Sequence, residues 1–181
     1  MITTKLKIRL YGDPVLRKKS LSVQEVGPGE RMFINAMIET MHLHKGVGLA
    51  APQLGVSEQI LVADIGEGPV VVINPQIIKK SGTEVMEEGC LSIPGIQVDV
   101  KRAKKIQLKF LNEHNVPVER EYSGLLARVI QHETDHLKGK LIIDYAPLTK
   151  QLKLKKQLKA ILTGKSPDLI KHRSTDNQQS K

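Results

Sequence analysis

The stretch "SGLLARVIQHETDHLKG", residues 123–139, carries helical spacing between a capping serine and a terminating glycine. Ser123 is available as the cap and Gly139 as the stop. At 100° per residue, Leu125, Val129, His132 and His136 fall within about 60° of one another, so both imidazoles continue an apolar stripe and are expected to face inward. Glu133 lies about 80° from Leu125 on one flank and Asp135 a similar angle away on the other. A helix that buries such a stripe needs strands or helices packed over it.

The sequence before it supplies strands. "QILVADI", "PVVVINP", "QIIKKSGTEVM", "KIQLKFL" and "VPVEREYS" are short β-branched segments separated by turn signals such as "GEGP" and "NEHN", and they read as mostly antiparallel strands. Two further helices are expected. Between Glu30 and His44 the residues Phe33, Ile34, Met37, Ile38 and Met41 recur at spacings of three and four, with Gly46 closing the run. "PLTKQLKLKKQLKAILTG" opens near Pro147 and ends at Gly164, with Leu154, Leu158, Ile161 and Leu162 on one side and lysines elsewhere. Asp13 followed by Pro14 marks a short helical turn near the N-terminus. Strands that hold a helix make an α+β domain. The expectation is antiparallel sheets around the central helix that bears the two histidines, in one domain over residues 1–164. That domain includes a C-terminal helix over about 147–163, and 165–181 is a polar tail too poor in core residues to order.

The composition excludes several classes. No apolar run approaches the roughly 18 residues of a membrane span, and "MITTKLKIRLYGDP" lacks the apolar stretch of a secretory signal. A chain that stays in the cytoplasm, with no membrane partner, is expected. A single cysteine, Cys90, rules out an intramolecular disulfide and suits a reducing compartment. The net charge of +9, from 28 Lys+Arg against 19 Asp+Glu, raises the question of a polyanionic partner. Much of that charge sits in the last helix, and aromatic residues are only 3% of the chain. This favours docking or phosphate contact over sequence-specific reading of nucleic-acid bases.

Two histidines at i and i+4 with a glutamate after the first form H-E-x-x-H, which lets both rings converge on one ion while Glu133 handles a bound water. A third ligand is needed. The extended peptidase motif fails because position 142 is isoleucine, and no downstream glutamate helix follows. Upstream, "EEGCLSIPG" offers Cys90 beside Gly89, and a thiolate with two imidazoles suits Zn or Fe(II) with a fourth position left open. "GVGLAAPQLG", residues 46–55, reads by itself as a tight loop after a helix, and Gln53 in it offers an amide donor. Leu125 and Val129, one and two turns before the histidines, are expected to wall an apolar pocket with Val47 and Gly48 opposite. Arg128 flanks that stripe at the pocket rim, and Asp135 is expected to orient a ligand histidine.

With "GVGLAAPQ", "EGCLSIP" and "QHETDH" in this order, the sequence resembles the peptide deformylases over roughly residues 3 to 164, and its long C-terminal helix resembles the bacterial type 1 enzymes. The resemblance implies that Cys90, His132 and His136 hold a metal, physiologically Fe(II), with Ni, Co or Zn able to substitute. It implies that Glu133 is the general acid/base and that Gln53 and the N–H of Leu91 stabilise the oxyanion. The implied substrate is the N-formyl-methionyl start of a nascent polypeptide, hydrolysed to formate and a free amino terminus. Ribosome docking through the basic last helix and a bacterial cytoplasmic setting are implied as well.

Overall fold

Strand β2 (Ile60–Ala63) is buried at every position, and its alternate residues serve two cores. Leu61 and Ala63 pack on the side that holds Ala127 and Ile130, whereas Ile60 and Val62 pack with Ile34, Met37 and Met41. The computed structural model, which describes residues 6–165, therefore places a sheet between two helices. The helices are α1 (Pro28–Leu43) on one face and α2 (Gly124–His136) on the other. The sheet has five antiparallel strands in the order β1 (Gly48–Ala50), β2, β3 (Val70–Ser81), β6 (Lys105–Leu111), β7 (Pro117–Ser123). A second antiparallel sheet pairs β4 (Glu84–Glu88) with β5 (Val98–Arg102).

The third core lies on that smaller sheet. Val98 and Val100 of β5 pack with Leu16, Ile142 and Ile143 and with Leu154 and Ile161 of the last helix, α3 (Leu148–Leu162). This is the α+β arrangement of antiparallel sheets around a histidine-bearing helix, with a C-terminal helix, that the periodicity predicts. No described helix is long and apolar enough to cross a membrane. The predicted tail lies outside the described residues beyond Lys165.

Local capping explains several boundaries. The Glu30 side chain accepts from the Gly27 N–H at 2.8 Å, which opens α1 at Pro28. The Asp13 carboxylate accepts from Val15 N at 3.0 Å and starts the predicted turn, a 3₁₀ turn over Pro14–Arg17. Gly139 ends α2 as expected: it has φ +72°, and a Cβ there would lie 2.5 Å from the Arg17 carbonyl oxygen.

Four details differ from the sequence reading. "PVVVINP" and the first half of "QIIKKSGTEVM" form one strand, β3, broken only by an irregular register between Ile73 and Gln76. There Asn74 takes φ +52°, and its amide bridges Val23 N and O. The second half belongs to β4, across a turn in which Gly82 has φ +63°. Strand β5 has no counterpart in the sequence reading, because the charges of "VDVKRAKK" hide a strict alternation whose last inward residue is the buried Arg102. Leu162 is 57% exposed, so the buried stripe of α3 is Leu154 and Ile161, with Leu158 partly covered.

Candidate metal centre

The histidines of α2 are buried, and Cys90 meets them from the turn after β4. One ligand atom from each of Cys90, His132 and His136 lies within 4.8 Å of the other two. Cys90 Sγ is 3.3 Å from His136 Nε2, and the two imidazole centroids are 5.1 Å apart. The single turn between i and i+4 sets the spacing of the rings, and the cysteine closes the triangle from 42 positions before His132.

Glu88, two residues before the cysteine, holds the other side of His132. Its Oε2 lies 3.0 Å from His132 Nδ1. An ionised carboxylate only accepts, so Nδ1 carries a proton and Nε2 is the nitrogen left to meet an ion. Glu88 also accepts from Arg102 Nε and Nη2 at 2.7 and 2.9 Å and from Arg128 Nη1 at 2.7 Å. Burial would raise the Glu88 pKa, but the His132 and Arg102 hydrogen bonds outweigh it and bring the carboxyl down to about 2. Arg102 continues outward, donating Nη1 to Asp135 Oδ2 at 2.8 Å, and Tyr145 OH donates to the same oxygen at 2.7 Å.

One expectation fails. Asp135 does not orient a ligand histidine. It anchors Arg102, because its position off the histidine stripe turns it toward β5 and Tyr145. Arg128 lines the cavity beside that stripe as expected, and it is 5% exposed and binds Glu88, the Val100 carbonyl at 3.0 Å and the Glu84 carbonyl at 2.9 Å. Glu88 and Arg102 escaped the sequence reading. The only signals were the acidic pair ahead of the cysteine and the inward phase of Arg102 in a strand that charge concealed.

The remaining groups bear on whether an ion fits. Burial pulls the His136 pKa well below its ordinary value, with His132 and Arg102 adding to the effect, so the ring is neutral and ready to ligate. Burial acts on His132 in the same sense, but Cys90 and Glu88 overcome it and raise the pKa, so an entering cation displaces a proton. Glu133 is 4% exposed, and its Oε2 has no hydrogen-bond partner. An orphaned buried carboxylate oxygen is costly unless it serves a ligand or a reaction. Burial raises its pKa to about 7, against the pull of His132 and Arg102. A thiolate, two imidazoles and this carboxylate fit a borderline-soft divalent ion.

The predicted loop at 46–55 is partly strand. Gly48–Ala50 forms β1 against β2, and Ala51–Leu54 is a 3₁₀ turn that delivers Gln53. Gln53 is 1% exposed, and its Oε1 accepts from Ala50 N at 2.8 Å. That contact fixes the amide so that Nε2 points to Ser92 Oγ at 3.2 Å and Cys90 Sγ at 3.6 Å. The Leu91 N–H takes no acceptor among the described residues. Gly48 is the close-approach point, where a Cβ would lie 2.5 Å from Glu133 Oε1 and 2.6 Å from Val129 Cγ1.

A cavity of about 390 Å³ opens onto this centre, and Val47, Gly48, Leu125 and Val129 all line it. Val129 is buried, whereas Val47 and Leu125 are 46% and 48% exposed and stand at the mouth. Cys90, Gln53, Leu91, His132 and Glu133 complete the wall, so the sequence-derived site residues come together, with His136 behind them.

The family model for polypeptide deformylase matches residues 5–152. The peptide deformylase of Thermotoga maritima is 50% identical over 153 residues, 84% of this chain and 93% of that protein. Its crystal structure superposes with a TM-score of 0.77 over 78% of this chain and 97% of that one. A Legionella pneumophila peptide deformylase, 38% identical, reaches a TM-score of 0.83 over 90% of this chain and 99% of that one. The chain therefore belongs to the peptide deformylase family, metal-dependent hydrolases that remove the N-terminal formyl group from nascent peptides.

Proposed function

We propose that Cys90, His132 and His136 hold one Fe(II) ion and that Glu133 works beside it as general acid and base on N-formyl-methionyl peptides. The convergence of three ligand atoms within 4.8 Å carries this reading. Three protein ligands leave a position open for chemistry, whereas structural sites are closed by four. Zn(II), Ni(II) or Co(II) fits the same donors. When bound, the ion supplies Lewis acidity, bringing the pKa of a coordinated water toward about 7.

Glu133 takes a proton from the water that attacks the formyl carbon and delivers it to the nitrogen as the C–N bond breaks, which releases formate and the free amine. A pKa near 7 suits both halves of that shuttle. Gln53 Nε2, held by Ala50 and Ser92, and the Leu91 N–H donate to the oxygen that gains charge, where one such donor is worth about 3 kcal/mol. Val129 inside, with Val47, Gly48 and Leu125 around the mouth, receives the methionine side chain. Residues 1–164 act as a single catalytic domain in the bacterial cytoplasm.

Helix α3 is the surface for the ribosome. It exposes Lys153, Lys155, Lys156 and Lys159 together with Leu148 and Leu152. Such a face attracts a polyanion and adds apolar contact.

The test is formate release from formyl-Met-Ala-Ser by anaerobically prepared iron protein, beside acetyl-Met-Ala-Ser. Formate from the first and no hydrolysis of the second is the expected result. Absence of formate from the iron-loaded protein overturns the reading.

A further inference from the structure

A second cavity, of about 590 Å³, lies behind the metal centre on the other flank of α2, between β3, β5 and Tyr145. Its walls are unequal in hydrogen-bonding character. Most acceptors are already in use: Asp135 Oδ2 takes Arg102 Nη1 and Tyr145 OH, and Gln131 Oε1 takes Ala103 N, which among the described residues leaves Asp135 Oδ1 as the carboxylate oxygen without a donor. The Gln131 amide nitrogen is also spent, on the carbonyls of Ala103 and Ala127. The uncommitted charged groups are mainly donors. Lys80, Lys101 and Lys138 line the cavity, and among the described residues none of them pairs with a carboxylate. Ser81 and Thr83, at the β3–β4 turn, line it as well.

The charge count runs the same way. Arg102 and Arg128 are balanced by Glu88 and Asp135 within one buried network, so the three lysines leave the cavity with unopposed positive charge. Three lysines lining one concavity can reinforce each other's field, whereas single exposed lysines are screened within about 8 Å at physiological salt. A wall in which three lysines outnumber one half-engaged carboxylate matches a ligand that offers many anionic oxygens. Oligophosphates have that chemistry, and the concave shape favours a compact group over a flat surface.

We propose that this cavity binds the oligophosphate group of a small molecule, held by Lys80, Lys101 and Lys138. The site is separate from the formyl-peptide cavity, and its lysines take no part in the hydrolysis.

Titration calorimetry of the metal-loaded enzyme with inorganic tripolyphosphate in 150 mM KCl tests this. The expected result is saturable one-to-one binding, weakened at least tenfold in K80Q/K101Q/K138Q. Formyl-peptide turnover and thermal midpoint of that variant should stay at wild-type values, because all three side chains are exposed. A charge-matched control, K153Q/K155Q/K156Q on α3, should bind as the wild type does. Equal weakening in both variants would mean generic attraction to a basic protein and would overturn the site. So would absence of saturable binding, or lysine-dependent binding of a short RNA without binding of tripolyphosphate, which would make the surface one for an RNA backbone.

Discussion

Gly48→Ala isolates the contact by which β1 places the general base. The added methyl would lie 2.5 Å from Glu133 Oε1, 2.6 Å from Val129 Cγ1 and 3.0 Å from Glu133 Cδ. Ordinary contacts lie near 3.5–4.0 Å, so about an ångström of separation has to be found. Neither side yields freely, because β1 is paired to β2 and both α2 residues are buried. Overpacking of this kind costs about 1–3 kcal/mol, which for a chain of this length lowers Tm by about 2–12 °C. The catalytic effect is sharper. A displacement of about an ångström at a reacting group costs about 100-fold in rate, equivalent to about 2.7 kcal/mol of barrier. Steady-state turnover of formyl-Met-Ala-Ser and a thermal melt on the same metal-loaded sample measure the two effects. Wild-type kcat with wild-type Tm would refute the claim that Gly48 is required for the placement of Glu133.

Three further outcomes follow from the same geometry. Glu133→Gln should lose at least about 100-fold in kcat, the low end for removal of a general acid–base group, while keeping its metal; full turnover in that variant would remove Glu133 from the mechanism. Glu88 has a depressed folded pKa, so its contribution is present above pH 4.5 and is lost as pH falls toward about 2. That contribution amounts to about 3 kcal/mol. Acid denaturation of chelator-treated protein should therefore fall less steeply between pH 5 and 2 in Glu88→Gln, and parallel curves would contradict the role given to Glu88. Val129→Phe fills the inner part of the 390 Å³ cavity and should shift first-residue preference from methionine toward alanine in kcat/KM. An unchanged ratio would place the methionine pocket elsewhere.

The parts of this site that were legible in the sequence are those governed by local periodicity. The phase of a single helix set His132, His136 and Glu133 on one side, and Gly139 ended it. Cys90 and Gln53 were legible only as motifs, because nothing in the spacing of residues 46–55 and 86–94 says that a β1–β2 pairing and a β4 turn bring them to α2. The buried charges were the least legible. Glu88, Arg102 and Arg128 look like solvent-facing residues in a strand or helix pattern, and their burial makes sense only once each is seen to neutralise the others. Asp135 misled for the same reason: its partners, Arg102 and Tyr145, lie on separate segments.

The claim on which the account rests is that Cys90, His132 and His136 bind one catalytic ion. X-ray absorption at the iron edge on anaerobically reconstituted protein reads that ligand set directly. The account requires one iron per chain, with one sulfur and two imidazole nitrogens in its shell and the sulfur lost in Cys90→Ser. An iron shell without sulfur in the wild-type protein, or one unchanged by Cys90→Ser, would contradict it.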